Sequence, residues 1–559
     1  MASTFHVEHF GCRAARADGE AVSERLRAAG LSNASPPAAD VVIVNACSVT
    51  AEADRAARAF IRRAHRLNPE ARIVVTGCYA QRAPEELAGM DGVAAVVGNS
   101  HKALAPEIIL GLSGNWEVGA LKGHGFSRAA EALHADAALQ AAEKFVEADP
   151  NGRIVSGHDF SRAVNAAKST RPLGPEGRIS PILPASRSFS AAYLAAEGKL
   201  VSVESLLSSG ARAPIWADDR FAHSFLEEAQ MAPGAQTRPN LKIQEGCGNR
   251  CTFCVIPQTR GPSKSLPAAS VLRQVEGFVA AGGKELVLSG INLGRWGRDF
   301  PSSEATASRT LPGLVRAIFE RTALPRLRLS SIEPMDWDAE LIGLMAEFGN
   351  PKTGAARLAR HAHLPLQSGS DAVLRRMHRR YRPWHYVEKV DALVRACGPA
   401  LTLGADVMVG FPGETGAEFE ETLALVRLLP FGYLHLFPFS PRPGTPGWAL
   451  HAERPVPAEA VAERMAALRA LAAEKSKAHR RSFVERELEA ITLHTPAEME
   501  ARGRSAALTE NFLPVELEGR QEANLLVRVR VTGLNAEGTL EAEAVEARPA
   551  QYAATITSV

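Results

Sequence analysis

The stretch Leu241–Gly261, LKIQEGCGNRCTFCVIPQTRG, places Cys247, Cys251 and Cys254 in a C-x3-C-x2-C spacing. Leu241 and Ile243 alternate with polar residues, the period of a short strand, so Cys247 falls where strand gives way to loop and three thiols can converge on one point. A zinc ion normally recruits four ligands, and no histidine or further cysteine lies near enough in sequence to be the fourth. Three thiolates suit a four-iron cluster with one iron left open to a small ligand. The plain alternative is three core thiols with no role, but such tight clustering in an intracellular chain weighs against it.

This spacing closely resembles the signature of the radical S-adenosylmethionine (SAM) enzymes. The resemblance implies that Cys247, Cys251 and Cys254 hold a [4Fe-4S] cluster whose open iron chelates SAM. An electron from that cluster would then cleave the sulfonium to a 5′-deoxyadenosyl radical, which makes these three residues the catalytic ones.

Working outward, the chain of 559 residues is too long for one core, and three or four domains are expected. A hydrophobic fraction of 46% with 23% charged residues is ordinary for a soluble protein, and no apolar run reaches the length of a membrane span. The opening MASTFHVEHFGC has neither a basic leader nor an apolar segment, so the expected location is cytoplasmic, with thiols kept reduced and no membrane partner. A net charge of +2 leaves nucleic-acid binding to local basic patches.

Upstream, FHVEHFGC, VVIVNAC and IVVTGC repeat one pattern, a short apolar strand with a cysteine at or just beyond its end. Helical patterns over about Glu20 to Ala29 and Ala51 to Arg66 separate them, as in a parallel α/β sheet. Ligands gather at the carboxyl edge of such sheets, so Cys12, Cys47 and Cys78 are expected to form a second trio there. NACSVTAEAD, VVTGCYAQRAPEEL and VVGNSHK resemble the N-terminal domain of the methylthiotransferases, in which the first three cysteines hold an auxiliary four-iron cluster carrying the sulfur to be transferred. Ala15 and Ala46 depart from that pattern, standing where Asn and Thr are usual.

From Leu112 to Ile215 the composition shifts to Ala, Ser, Gly, Arg and Pro, with a near-repeat, GHGFSRAAEA and GHDFSRAVNA. Two copies are too few for a solenoid, so 112–215 is read as an insertion, with a helical part at Ala129 to Ala148. His124 and His158 lack companion ligands and are read as solvated loop residues.

The central region alternates six strands with helices: Leu241 to Glu245, Glu285 to Ser289, Arg326 to Ser330, His363 to Gln367, Gly404 to Val409 and Tyr433 to Phe437. Six β/α units form a partial barrel with its chemistry at the C-terminal strand ends. Gly282, Gly283 and Glu285 resemble the family's glycine-and-glutamate motif, which implies a place near the SAM amino group; a helix C-cap is the alternative. Gln367, Ser368 and Ser370 in HLPLQSGSD, and Gly410, Pro412, Gly413 and Glu414 in VMVGFPGET, put polar groups and glycines at strand exits suited to a polar cofactor. RRMHRRYRPWHY interleaves arginines, among them Arg379, Arg380 and Arg382, with aromatic rings, a pattern suited to phosphates and unstacked bases or to a solvated helix face. Cys397 is read as a structural thiol.

After Pro455 a long Ala- and charge-rich helix is expected, running to about Glu489, followed by short alternating strands that suggest a small antiparallel barrel. The barrel resembles the TRAM module of RNA-modifying enzymes, with Arg502, Arg504, Arg528 and Arg530 as its contacts. The resulting division is 1–111 for the auxiliary-cluster domain, 112–215 for the insertion, 216–455 for the partial barrel, 456–481 for a helical linker and 482–559 for the TRAM-like barrel.

Together these motifs resemble the radical SAM methylthiotransferases, and RLRLSSIEP, with Ser331, Glu333 and Pro334, resembles the branch acting on N6-threonylcarbamoyladenosine-37 of tRNA. The resemblance implies two [4Fe-4S] clusters and two SAM molecules per turnover, one giving a methyl group to sulfur and one giving the radical. On this reading Glu333, on a loop leaving the catalytic face, accepts a hydrogen bond from the N6 substituent, while Arg379, Arg380 and Arg382 of the Arg-rich run, with the C-terminal barrel, hold the phosphates of a tRNA anticodon stem-loop. It also implies an electron donor such as flavodoxin or ferredoxin and a sulfur donor. The isopentenyladenosine-37 branch, the branch modifying a ribosomal-protein aspartate, and a metal-stabilised RNA-binding protein without turnover are the alternatives.

Overall fold

Apolar runs closed by turn residues build the first sheet. In the computed structural model, which describes residues 3–112, 213–221, 224, 236–301, 309–349 and 356–545, its strands are β1 (Thr4–Phe10), β2 (Ser32–Asn33), β3 (Val41–Ala46), β4 (Arg72–Gly77), β5 (Val93–Gly98) and β6 (Ile215–Trp216). All pair in parallel in the order β2-β1-β3-β4-β5-β6. The central strand β3, VVIVNA, is buried along its whole length, as a parallel strand covered on both faces must be. Phe10 pairs with Ala46, Ala46 with Gly77 and Gly77 with Gly98, so four strands end level on one edge.

The helices Arg13–Ala28 and Ala51–Leu67 cross this sheet. The second starts where Thr50 Oγ1 accepts the amide of Ala53 at 3.3 Å, with Glu52 and Asp54 set against the positive helix end. Two expectations are corrected. The first helix begins at Arg13, seven residues before its apolar period becomes regular, because Cys12 caps it directly after the strand. Ile215, assigned to the insertion, and Trp216, assigned to the partial barrel, together form β6: the chain rejoins the first sheet where the Ala213 amide meets the Ala88 carbonyl at 3.3 Å and Trp216 is buried. A two-residue edge strand has no period to read. The near-repeat, the helix expected over 129–148, His124 and His158 lie outside the described residues.

The central domain carries β7 (Asn240–Glu245), β8 (Lys264–Ser265), β9 (Glu285–Gly290), β10 (Arg326–Leu329), β11 (His361–His363), β12 (Thr402–Val409) and β13 (Phe431–Pro438). They form two arcs, β10-β9-β7-β8 and β11-β12-β13, joined by a parallel bridge between Leu327 and Leu358. The six expected strands are parallel and wind as a partial barrel, and the antiparallel β8 is an addition. The fourth strand is shifted to His361–His363, since Gln367 turns to φ +63° and its amide meets the Asp406 carbonyl at 2.8 Å. A continuous core runs from Leu241 through Trp296, Trp337 and Phe411 to Leu471.

The long helix spans Ala458–Arg481 and leads into a closed barrel of β14 (Glu487–Thr492), β15 (Arg504–Thr509), β16 (Pro514–Glu518), β17 (Leu526–Leu534) and β18 (Leu540–Val545), ordered β14-β15-β16-β18-β17. The helix was expected to reach about Glu489. It stops earlier because Phe483 enters the barrel core and Glu485, at φ +65°, redirects the chain into β14. The barrel docks on the N-terminal ends of the central strands: Arg326 Nη2 meets Glu489 at 2.9 Å, Arg328 Nη2 donates to the Thr509 carbonyl at 3.2 Å, and Asn524 Nδ2 to the Gly282 carbonyl at 3.0 Å. No described helix is long and apolar enough to cross a membrane.

Candidate active site: two cysteine trios at strand ends

The level edge of the first sheet delivers its three cysteines to one place. Gly11, at φ +135°, passes so close to β3 that a Cβ would lie 2.2 Å from Cys47 Cβ, so glycine is required there to bring Cys12 beside Cys47. Cys47 follows β3 and Cys78 follows β4, and the Cys47 thiol hydrogen-bonds with both Cys12 and Cys78. That bonding raises the Cys47 thiol well above the usual range. Cys78 is held well below it, first by the bond from Cys47 and then, against the opposing effect of burial, by the charge of Arg260. Asn99 Nδ2, at the end of β5, reaches Cys78 Sγ at 3.3 Å and the Thr259 carbonyl at 2.8 Å. Ala15 and Ala46 are both buried, and the Ala15 carbonyl accepts from Asn45 Nδ2.

The other trio, Cys247, Cys251 and Cys254, sits on the loop after β7. Gly246 has φ +68°, and a Cβ there would lie 1.9 Å from the Pro262 carbonyl oxygen. The loop therefore closes on its own exit, with the Cys247 amide donating to the Gly261 carbonyl at 3.1 Å. N–H groups surround the sulfurs: the Asn249 amide lies 3.5 Å and Asn292 Nδ2 3.6 Å from Cys247 Sγ, and Arg379 Nη1 lies 3.3 Å from Cys251 Sγ. Burial pushes the Cys254 thiol up to about 12 and the Cys247 thiol upward as well. A cleft of about 260 Å³ opens beside Cys251, lined by Arg250, Arg295, Glu333, His378, Arg379 and Arg380 among others.

Among the described residues, no three His, Cys, Asp or Glu side chains form a site for a single metal ion. A four-iron cluster asks for a different arrangement, because each cysteine meets its own iron and the sulfurs stand apart. Three thiols with N–H groups directed at them fit such a cluster at Cys247, Cys251 and Cys254. Buried Ser289 Oγ, Asn292 Oδ1, Ser330 Oγ, Gln367 Oε1 and Ser370 Oγ lie at or just beyond the C-terminal ends of β9, β10 and β11 without hydrogen-bond partners. Unpaired buried polar atoms are rare, and a bound polar cofactor such as SAM would satisfy these.

Gln367 and Ser370 lie in the segment between β11 and the helix Asp371–Arg376. Gly410 and Gly413, at φ +77° and +73°, shape the turn after β12: the Gly410 amide donates to Glu414 Oε2 at 2.8 Å and the Gly413 amide to the Arg454 carbonyl at 2.9 Å. Gly282, Gly283 and Glu285 are a correction. They precede β9, on the face opposite Cys247. Gly282 and Gly283 cap the helix Ala268–Ala280, and buried Glu285 binds Arg328 at 2.8 Å and Arg238 at 3.2 Å. The residues at the Cys247 end of β9 are instead Ser289, Gly290 and Asn292, and the exit SGIN is the signal that would have found them.

Glu333 and Arg379 meet each other: Arg379 Nη2 donates to both Glu333 oxygens at 2.8 and 2.6 Å. Arg380 lies 3.5 Å from Asp336, also the partner of Arg298 at 3.1 Å, so one carboxylate serves two guanidinium groups. Arg382 is directed elsewhere, with Nη1 donating to the Arg379 and Tyr381 carbonyls at 2.9 Å and Nε 3.1 Å from Asp371. In the C-terminal barrel Arg502, Arg504, Arg528 and Arg530 are each paired with a glutamate.

Residues 4–98 match a family model described as "Uncharacterized protein family UPF0004", and residues 241–426 match the Radical SAM superfamily. A threonylcarbamoyladenosine tRNA methylthiotransferase, MtaB, of Bacillus subtilis is 29% identical over 94% of this chain and 93% of its own length. A tRNA-2-methylthio-N(6)-dimethylallyladenosine synthase of Cereibacter sphaeroides is 36% identical over 56% of this chain and 66% of its own. Among solved structures, the radical SAM methyltransferase TsrM of Kitasatospora setae aligns at TM-score 0.44 and 16% identity, covering 81% of this chain and 75% of that one.

A partial barrel with three cysteines after its first strand, matched over that region by the superfamily model, defines a radical SAM enzyme. The second trio on a separate parallel sheet and the near full-length similarity to MtaB narrow the class: the chain belongs to the radical SAM methylthiotransferase family.

Proposed function

We propose that the protein adds a 2-methylthio group to N6-threonylcarbamoyladenosine-37 of tRNA, using two SAM molecules and two [4Fe-4S] clusters held by Cys247, Cys251, Cys254 and by Cys12, Cys47, Cys78. The observation that carries the substrate reading is the cleft beside Cys251. It gathers Arg250, Arg295, Arg379 and Arg380, four guanidinium groups against the carboxylate of Glu333 in the cleft and that of Asp336 beside Arg380. Surplus positive charge at the mouth of the cleft fits a substituent that ends in a carboxylate and offers no advantage to an apolar isopentenyl group. Proteins named for the threonylcarbamoyl substrate in four bacteria, 28–29% identical over most of this chain, support the same reading.

When bound, SAM at the first trio supplies the 5′-deoxyadenosyl radical and the auxiliary cluster supplies the sulfur. The chain's own residues hold the target. Arg379, locked by Glu333, orders the cleft wall, and Arg295 and Arg380 receive the substituent. Glu333 therefore acts through Arg379 rather than by accepting from the substrate. With the barrel arginines paired, the anticodon phosphates are met chiefly by exposed cations near the cleft, and the TRAM-like barrel adds RNA contact from the opposite face. A cytoplasmic location and supply by an electron donor and a sulfur donor accompany this reading.

The test is mass spectrometry of tRNA nucleosides from a strain lacking the gene. Loss of the 2-methylthio-threonylcarbamoyl nucleoside is expected. Loss of the isopentenyl product instead would move the protein to the sister substrate, and an unchanged nucleoside profile would remove tRNA as substrate.

A further inference from the structure

The two trios are joined by one short segment. Cys254 is followed at Ile256–Arg260 by a single helical turn whose last residue, Arg260, is fully buried and leaves the central domain to place Nε 3.2 Å from Cys78 Sγ. Its Nη1 is fixed by Glu245 at 2.7 Å and Asp18 at 3.1 Å. Those two carboxylates also bind Lys102 Nζ, at 2.8 and 3.0 Å, and both bind Lys242 Nζ. Asp18 and Lys102 come from the first domain; Lys242, Glu245 and Arg260 come from the second. All five side chains are at most 7% exposed.

Three cations face two carboxylates in this buried cluster, which leaves one positive charge without a carboxylate counterpart. A charge so deeply buried is costly unless something compensates it. The group touching it is Cys78. Arg260 Nη2 is also buried without a hydrogen-bond partner, a spare donor beside the trio.

We infer that Arg260 is a positioning residue of the auxiliary site: it fixes the Cys78 thiolate and counters the negative charge of whatever the second trio binds, while tying that site to the loop of the first. This rests on the reading that Cys12, Cys47 and Cys78 hold an iron–sulfur cluster. N–H donors and positive charge at cluster sulfurs favour the reduced state, so loss of Arg260 makes the cluster harder to reduce.

The experiment uses the full chain with Cys247, Cys251 and Cys254 replaced by Ala, reconstituted anaerobically, so that the remaining iron reports on Cys12, Cys47 and Cys78 alone. Redox titration followed by electron paramagnetic resonance is expected to move the midpoint to a more negative potential in Arg260→Gln, with Arg260→Lys in between. An unchanged midpoint and spectrum in folded Arg260→Gln overturns the inference. Where Arg260→Gln loses its iron, Arg260→Lys decides: its charge is kept but its fork of donors is gone, so a parental midpoint and spectrum there overturn the inference. Absence of iron in the triple-Ala parent overturns both the inference and the cluster reading beneath it.

Discussion

Glu333 and Arg379 form a two-pronged ion pair, with both carboxylate oxygens on Nη2 at 2.8 and 2.6 Å, and the same guanidinium places Nη1 3.3 Å from Cys251 Sγ. Breaking a buried pair from one side leaves an uncompensated charge, a loss of about 3–5 kcal/mol. Glu333→Gln is therefore expected to lower stability by roughly that amount and to loosen iron at the Cys247 trio. Anaerobic denaturation and an iron assay check both. Parental stability with parental iron would show that Arg379 is held by its other neighbours.

Under the proposed function the two trios divide the chemistry. Replacing Cys247, Cys251 and Cys254 by Ala is expected to abolish 5′-deoxyadenosine formation. Replacing Cys12, Cys47 and Cys78 should leave SAM cleavage while stopping methylthio transfer. Chromatography of SAM products beside nucleoside mass spectrometry separates the two. If both variants kept the full iron content of the parent, neither trio would be a cluster site.

Six of the seven cysteines and the strands before them were legible because both trios lie directly after apolar runs, and parallel register brings such strand ends level. What binds them together was not. Asp18, Lys102, Lys242, Glu245 and Arg260 are five charges scattered from residue 18 to residue 260, and nothing in local pattern says that they share one buried point. The same limit explains Glu285. A Gly-Gly-x-Glu run reads as a cofactor motif until the strand direction shows that Glu285 begins β9 whereas Asn292 lies just beyond its end. β14 was hidden in a helix expectation because its residues, ELEAIT, suit either state until Phe483 is packed.

Glu285 also gives a pH prediction. Three arginines around it overcome burial and lower its carboxyl to about 2 from 4.5. A depressed acid stabilises the fold above its unfolded value and loses that contribution as pH falls toward the folded one. The wild-type chain is expected to lose about 3 kcal/mol from this group between pH 5 and 2. Glu285→Gln should be less stable at pH 7 and lose less over that interval, with SAM affinity unchanged because the residue is on the far face. Denaturation at several pH values and SAM titration check it; weakened SAM binding in a folded variant would restore the cofactor role.

The insertion has an end that can be tested sharply. Ser113 to Arg212 separate two points on the first domain, Leu112, whose carbonyl accepts from Arg72 Nη1, and Ala213, whose amide meets Ala88. Loop-closure cost rises only logarithmically with length, so replacing 113–212 by a short Gly/Ser linker is expected to change stability by no more than about 1–2 kcal/mol and to keep iron at both trios. Extending the deletion through Trp216 should behave differently. That removes β6 and a large side chain that is 5% exposed, and truncation of buried aromatics costs about 3–5 kcal/mol. Trp216→Ala in the full chain isolates this contribution. Denaturation midpoints and iron content of the three variants decide the point: equal stability for both deletions would mean that β6 does not hold the sheet edge.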